Sequence, residues 1–294
     1  MNTTRFSYSY FLFVIVLVIS GCGGGGGGSS SNNNNNGSTV TSPLISTIVF
    51  SDAQLSACIT QTANSKNWSR INQVIELFCN DMGIISLGGI EQLTALITLD
   101  LTNNTIADIS PLATLTGLQK LYFSGNEVDN IDAQAQIADD LPVIKGGGQF
   151  KDVSVLSQLS NLRELSIGGE NFSDLNGVGQ LTNLRSLWIR NSQVSDISAL
   201  ANLSGLTFLS LHNNQIIDIQ PISNLTNLNV LYLGRNSIQD ITPLISLTNL
   251  TELYLSNNQI NDVSPLASLV NLIELSIGGN LVEDISSLNQ LINI

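Results

Sequence analysis

The stretch Leu228 to Asn249, LNVLYLGRNSIQDITPLISLTN, decides the fold, because the residues on both sides of it repeat its pattern. Residues 206–227 read LTFLSLHNNQIIDIQPISNLTN, and residues 250–271 read LTELYLSNNQINDVSPLASLVN. The period is 22 residues, with leucine or isoleucine at fixed offsets and one asparagine and one aspartate at constant places between them. Such a period indicates a stack of similar structural units.

Each unit combines a short strand with a helical turn. Leu231 and Leu233 alternate with Tyr232 and Gly234, which predicts a strand with one buried face. The following D-I-x-P-L-x-x-L pattern places aspartate, a good N-cap, just before proline, which is tolerated near a helix start. Its leucines are three residues apart, which predicts a 3₁₀ or short α-helical turn. No unit can bury its apolar side alone, so neighbouring units must stack.

The pattern L-x-x-L-x-L-x-x-N with this period is the mark of leucine-rich repeats. Residues 74–293 resemble the 22-residue repeats of internalin-like bacterial surface proteins. The resemblance implies an α/β solenoid, a leucine-rich repeat horseshoe with short parallel strands on its concave side and 3₁₀ or short helical turns on its convex side. It also implies a protein-recognition module. It names no partner, because the fold hosts many.

The repeat domain is assigned to residues 74–294, with about ten repeats that start at 22-residue steps from Val74. The register weakens at residues 118–161, where Asp140 occupies a repeat start. Either two repeats with a local slip or one repeat with a bulging insertion explains this segment. We favour two repeats, because the total length is a multiple of 22.

The asparagine that follows each strand is predicted to be structural. Its side chain offers two donors and an acceptor to turning backbone. Stacked from coil to coil, these side chains would form a ladder of Asn104, Asn126, Asn214, Asn236, Asn258 and Asn280. Glu170 and Ser192 interrupt the series, and both are polar.

Residues 1–21 are predicted to be a signal peptide, because Arg5 precedes an apolar run, Phe11 to Ile19, that is too short to span a bilayer. The sequence Ile-Ser-Gly-Cys that ends at Cys22 resembles the lipobox of bacterial lipoproteins, which implies cleavage before Cys22 and lipid on its thiol. An ordinary secretory signal followed by a stray cysteine is the alternative. Gly23 resembles the outer-membrane variant of that signal. We therefore expect an exported lipoprotein at the outer membrane or the cell surface.

Residues 22–43 are expected to form the lipidated cysteine and a flexible tether, since runs of glycine, serine and asparagine have nothing to bury. Residues 44–73 are expected to form a helical N-terminal cap over the first coil. Asp52 can cap a helix that starts at Ala53, and Ile48 to Phe50 read as a strand. The pattern F-x-D-x-x-L-x-x-x-I, with Trp68 after it, resembles the N-terminal cap of internalin-like proteins.

Two cysteines remain after Cys22. Cys58 falls on the expected cap helix and Cys79 on the first strand. An exported chain meets an oxidising compartment, so a disulfide between Cys58 and Cys79 is expected. Two buried free thiols are the alternative.

Composition argues against several function classes. The chain carries 23 acidic and 10 basic residues, a net charge of −13, and no basic stripe that nucleic acid would need. The sequence contains no nucleophile-elbow, zinc-protease or phosphate-loop motif. Its one histidine, His212, has no second histidine or nearby cysteine with which to share a metal. We therefore expect no catalysis, no metal site and no cofactor.

The outward-facing strand positions indicate where a partner would bind. Large and charged side chains cluster there, mainly in four consecutive repeats, although aromatic residues make up only 5% of the chain. Tryptophan, tyrosine and arginine are the residues that anchor interfaces. The alternative is that large side chains pave the sheet because of their β propensity. The predicted partner-binding residues are Tyr122, Trp188, Arg190, Phe208, His212, Tyr232, Arg235 and Tyr254.

Two function classes follow from these observations. The first is a membrane-anchored module that recognises a protein, or alternatively a glycan, through its concave face, and it is expected to be a monomer. The second is a structural envelope lipoprotein that self-assembles. Assembly would use the C-terminal end, because no cap is expected before Ile294 and the last coil would present an apolar edge.

Overall fold

A computed structural model describes residues 42–125, 153–169 and 171–291. The predicted signal peptide, Cys22 and almost all of the tether lie outside the described residues. Asn126, Asp140 and Glu170 also lie outside them.

The described residues contain nine three-residue strands, which form one parallel sheet in chain order. Each strand pairs with the next so that leucine lies beside leucine, as Leu231 does beside Leu253. This arrangement confirms the predicted solenoid of short parallel strands. The strands are β1 Glu76–Phe78, β2 Thr98–Asp100, β3 Lys120–Tyr122, β4 Glu164–Ser166, β5 Ser186–Trp188, β6 Phe208–Ser210, β7 Val230–Tyr232, β8 Glu252–Tyr254 and β9 Glu274–Ser276.

The predicted helical turns are 3₁₀ helices. In the repeats they span Ile90–Gln92, Ser110–Thr114, Ser154–Gln158, Val178–Gln180, Ser198–Asn202, Gln220–Ile222, Thr242–Ser246, Ser264–Ser268 and Ser286–Gln290. An aspartate precedes most of these turns, and Asp240 accepts a 2.8 Å hydrogen bond from the backbone N–H of Thr242, the first residue of its turn. The same contact recurs at Asp108, Asp174, Asp196, Asp218, Asp262 and Asp284. Backbone hydrogen bonds hold the pKa of Asp196, Asp262 and Asp284 below its usual value.

The core lies between the sheet and these turns. Leu231 and Leu233 of one coil are fully buried, and so are Leu244 and Leu247 on the turn that faces them. Each such side chain contributes about 1.5–3 kcal/mol through burial. Because every coil supplies the same leucines, the core is continuous along the stack.

In the part of the irregular segment that the structure describes, residues 118–125 and 153–161, one strand, β3, joins the sheet. β3 pairs directly with β4, with Leu121 beside Leu165, although 44 residues separate the two leucines in the chain. The interpretation as two repeats is therefore wrong, because a second repeat would place a strand between β3 and β4. The strand pairing supports the alternative, one repeat that carries an insertion.

The cap contains helix α1, Ala53–Lys66, and the short 3₁₀ helices Ile45–Thr47 and Ile71–Gln73. Asp52 accepts hydrogen bonds from Gln54 and Leu55 at the start of α1. Its second oxygen accepts from the N–H of Ile85 at 2.9 Å, which joins the cap to the first repeat.

One prediction for the cap is wrong. Ile48 to Phe50 do not form a strand. The backbone that follows them makes one backbone–backbone hydrogen bond with the first repeat, from the N–H of Ser51 to the carbonyl of Gly88, rather than the regular pairing that a strand needs.

The structure contains the expected disulfide between Cys58 on α1 and Cys79, directly after β1. The two Cα atoms are 5.8 Å apart. Cys79 is completely buried and Cys58 nearly so, which places the disulfide inside the junction between cap and repeats.

The asparagine ladder is present in the described coils. Asn236 donates from Nδ2 to the carbonyls of Leu211 and Leu233, at 3.0 and 2.9 Å, and its Oδ1 accepts from the N–H of Ile216. Equivalent contacts are made by Asn104, Asn214, Asn258 and Asn280. Where the ladder is interrupted, the hydroxyl of Ser192 accepts from the N–H of Gly169 at 3.0 Å.

Asn236→Ala is expected to lower the free energy of unfolding by about 1–3 kcal/mol, because backbone groups of two coils lose their partner inside the turn. Urea denaturation measures this loss. Asn249→Ala is the matched control, since Asn249 is exposed and donates one hydrogen bond, to the carbonyl of Thr226. An Asn236 variant no less stable than the Asn249 variant would show that the ladder contributes nothing.

Candidate functional site

Five aromatic rings lie in contact across the solvent-facing side of the sheet. They form a continuous row, here called the aromatic strip, made of Tyr122, Trp188, Phe208, Tyr232 and Tyr254. Centroid distances along the row are 6.5, 4.8, 5.6 and 4.2 Å. The last pair, Tyr232 and Tyr254, is stacked face to face with only 6° between the ring planes. The strip crosses from β3 to β8, about 24 Å at the usual strand spacing.

The strip results from where the strands place their side chains. The middle residue of each strand is a leucine that points into the core, so the first and third residues face solvent. Trp188 at the end of β5 packs against Phe208 at the start of β6, because neighbouring strands bring these two positions together diagonally. All five rings are half-buried.

Two small residues let the large side chains close over the sheet. Ser166 is 6% exposed and Ser210 is fully buried, although both occupy outward-facing strand positions. Tyr122 and Trp188 flank Ser166 on β3 and β5, and their rings are in contact despite the strand between them. Arg190 donates from Nε to the hydroxyl of Ser210 at 2.7 Å. The small residues on one strand thus leave room for the large side chains of neighbouring strands to meet above them.

Carboxylates at the starts of the strands accept hydrogen bonds from the tyrosine hydroxyls. Tyr122 donates to Glu164, which also forms a 2.6 Å ion pair with Lys120. Tyr232 donates to Glu252 at 3.4 Å.

The tyrosine hydroxyls remain protonated at neutral pH. Burial and the hydrogen bond to Glu164 raise the pKa of Tyr122, and burial and the hydrogen bond to Glu274 raise that of Tyr254. They therefore act as hydrogen-bond donors that fix the rings in place.

Basic side chains lie at the other end of the strands. The guanidinium of Arg190 lies 5.8 Å from the centre of the Tyr232 ring, within cation–π range. Burial lowers the pKa of this guanidinium. His212 follows β6, and Arg235 follows β7 in the left-handed region with a φ of 56°.

The structure therefore brings six of the eight predicted residues into one connected group, the strip together with Arg190. His212 and Arg235 lie next to it, at the ends of their strands. The residues predicted for the site do not include Glu164, Glu252, Glu274, Ser166 or Ser210. Two of the glutamates could have been predicted from the sequence, because Glu252 and Glu274 each follow a tyrosine of the strip by 20 residues.

The described residues contain neither a metal-binding cluster nor a membrane-spanning helix. No group of histidine, cysteine, aspartate and glutamate side chains in these residues has a metal-binding arrangement. None of the helices in the same part of the chain is long and apolar enough to cross a membrane.

Comparison with known proteins identifies the repeats. The family of leucine-rich repeats (two copies) matches residues 94–141, 160–202, 204–246 and 248–290, more than half of the chain. No curated protein sequence matches the chain.

Solved structures support the assignment to the leucine-rich repeat family. Internalin C2 of Listeria monocytogenes is 30% identical, with a TM-score of 0.57 over 83% of this chain and 92% of its own. Internalin InlF of the same organism is 29% identical, with a TM-score of 0.52 over 84% and 81%. A leucine-rich repeat protein of Leptospira interrogans is 25% identical, with a TM-score of 0.62 over 76% of this chain and 55% of its own. The chain therefore belongs to the leucine-rich repeat family, and its repeat domain is similar to those of the internalins.

Proposed function

We propose that the chain is a binding module that docks a protein partner on the aromatic strip. The observation that carries the proposal is the contact of five half-buried rings across β3 to β8. Aromatic residues and arginine account for most of the energy at protein interfaces. A chain with only 5% aromatic residues concentrates five of them, with one arginine, on one surface.

The packing of the rings also favours docking. A side chain that is already ordered loses little conformational freedom when a partner covers it. Tyr232 and Tyr254 are stacked at 4.2 Å, and Trp188 lies between Tyr122 and Phe208. Rigid aromatic side chains of this kind give a large contact area at a low cost in entropy. The proposal includes no catalytic step, in keeping with the use of leucine-rich repeat domains as binding modules.

The experiment uses Trp188 as a reporter, because the chain has only two tryptophans. A partner is first isolated from envelope or host-surface extract with the wild-type chain. It is then titrated into a Trp68→Phe variant, in which Trp188 alone emits. Docking on the strip should change the emission of Trp188 saturably, and a Trp188→Phe variant should show no such change. A partner that binds the first variant without altering its emission would place the site elsewhere.

We also propose that lipid on Cys22 anchors the module to a membrane, at the outer membrane or the cell surface of a bacterium. Support comes from the apolar run before Ile-Ser-Gly-Cys and from the resemblance to a lipobox. Several acyl chains hold a protein on a bilayer, whereas one alone binds marginally. Cys22→Ser should move the chain from the detergent phase to the aqueous phase in a partitioning assay. Unchanged partitioning would contradict lipidation.

Self-assembly is the second candidate, and exposed apolar residues near the last described coil favour it. Ile273, Leu281 and Ile285 are 60–65% exposed. Size-exclusion chromatography over a range of concentrations separates the two candidates, because assembly through this coil gives oligomers without a ligand. A glycan ligand would appear in the titration as a change in Trp188 emission with purified saccharides.

A further inference from the structure

One residue beside the strip has a backbone conformation that its side chain disfavours. Arg235 has a φ of 56°, in the left-handed region. Glycine enters this region freely and asparagine and aspartate tolerate it, whereas other residues enter it at a cost. The corresponding places in other coils hold only such residues, namely Asp81, Asn103, Gly125, Asn191, Asn213, Asn257 and Gly279. Arg235 is the exception among these described turns.

The stack of coils imposes this conformation. The N–H of Arg235 donates to the carbonyl of Ser256 in the next coil at 2.8 Å, and its own carbonyl accepts from the N–H of Asn214 at 3.2 Å. Asn213 and Asn257 donate to their next coils in the same way. Because asparagine makes the same backbone hydrogen bonds in the neighbouring coils, these contacts do not account for an arginine in this strained conformation. Strained residues persist where they serve a function.

Basic side chains from two neighbouring strands converge on the same place. Arg190, after β5, reaches across to the Tyr232 ring at the end of β7. His212, after β6, lies against Gly234, because a Cβ at that glycine would be 3.0 Å from its Nδ1 atom. Arg235 is the next residue after Gly234. The Arg190 guanidinium and the His212 ring thus lie at the end of β7, and Arg235 follows three residues after that strand.

These basic groups stand out in an acidic chain with a net charge of −13. In the residues that the structure describes, the ion pairs are Lys66–Glu76 and Lys120–Glu164, so Arg190 and Arg235 have no carboxylate partner there. Glu252 and Glu274 start β8 and β9, so they lie at the opposite end of the strands. The end of β7 therefore has two arginines near it, one over the Tyr232 ring and one three residues after the strand, and no described carboxylate forms an ion pair with either.

We propose that Arg235 determines partner specificity by binding a carboxylate in an acidic segment of the partner protein. Arg190 and His212 flank that carboxylate, and apolar side chains of the same segment cover the rings. A guanidinium suits this role, because it forms paired, charge-assisted hydrogen bonds with a carboxylate. The inference rests on the proposed docking of a protein on the strip.

The test selects peptides from a random display library on the full chain in mild detergent. The selected peptides are synthesised and their Kd values are measured by fluorescence anisotropy. We expect acidic peptides with aromatic or aliphatic residues. Arg235→Asn should raise their Kd about tenfold or more, since a hydrogen bond to a charged group is lost. The same substitution should raise the Tm by about 2–4 °C, because the strain is removed.

Three further variants separate the effect of the positive charge of Arg235 from the effect of its backbone strain. Arg235→Gln removes the charge but keeps the strain, so affinity should fall without a gain in Tm. Arg235→Lys keeps a positive charge and should lose less affinity than Arg235→Gln. Asn213→Arg moves the strain to the preceding coil, so it should lower the Tm, and the same change in an Arg235→Asn background should not restore binding.

Three results would overturn the inference: a Kd unchanged in Arg235→Asn, a Tm unchanged in that variant, or a selection that yields only neutral or basic peptides. Trp188→Ala shows which proposal fails. If Trp188→Ala abolishes binding and Arg235→Asn does not, the strip remains the site and the role of Arg235 is wrong. If neither variant alters binding, both proposals are wrong.

Discussion

Replacing Cys58 and Cys79 together by alanine is expected to lower the free energy of unfolding by about 3 kcal/mol, because the unfolded chain regains the freedom of a short closed loop. The two cysteines are 21 residues apart. They join α1 to the end of β1, so the variant should also loosen the cap over Leu77, which is fully buried in the first coil.

Urea denaturation with and without reductant measures this effect. Reductant should destabilise the wild-type chain to the level of the double alanine variant and should leave that variant unchanged. If reductant leaves the wild-type transition where it was, the disulfide does not stabilise the fold. Hydrogen exchange should localise the loss to the cap, since coils far from it keep their contacts.

Trp188→Ala is expected to raise the Kd for the partner about 30-fold, equivalent to about 2 kcal/mol. Trp188 is central to the strip and contacts rings on both sides, at 6.5 Å to Tyr122 and 4.8 Å to Phe208. Phe78→Ala is the matched control, because Phe78 also occupies the third position of its strand but lies on β1, outside the strip, and is 55% exposed. Isothermal titration of both variants measures the difference. Equal affinities of the Trp188→Ala and Phe78→Ala variants would show that the strip is not part of the interface.

The same variant should also lose some stability. The alternation of the strand places Trp188 on the outward face, away from the core. In the structure it makes two ring contacts, each worth about 0.5–1.5 kcal/mol, so a loss of about 1–2 kcal/mol is expected. Thermal unfolding separates this cost from the cost in affinity, because the variant should still unfold cooperatively from a folded state.

The fold was predictable wherever the repeat is regular. Leucines at fixed offsets, an asparagine after most strands and an aspartate before most turns indicate the local geometry, and they recur from coil to coil. The segment at 118–161 was not predictable in the same way, because 44 residues fit either two repeats or one with an insertion. Only the pairing of Leu121 with Leu165, a contact between distant residues, decides between them.

For the site, the sequence predicted which face of the strands carries the candidate binding residues. Alternation identifies which side chains leave the core, and the period identifies which of them are neighbours. Residue spacing does not show the direction in which each side chain leans. The contact of Arg190 with Ser210 and the hydrogen bond from Tyr232 to Glu252 are therefore seen only in the structure. The strain at Arg235 could have been predicted from the sequence, because the aligned repeats have asparagine, aspartate or glycine in the equivalent turns.

The affinity of a Trp188→Ala/Tyr232→Ala double variant tests the central claim most directly. Two of the five rings disappear, and with them the stacking on Tyr254 and the contact of Arg190 with Tyr232. If the strip is the docking surface, isothermal titration with the partner isolated by the wild-type chain should show no measurable binding, while Phe78→Ala retains wild-type affinity. Wild-type affinity in a double variant that still unfolds cooperatively would contradict the claim and place the partner on another surface.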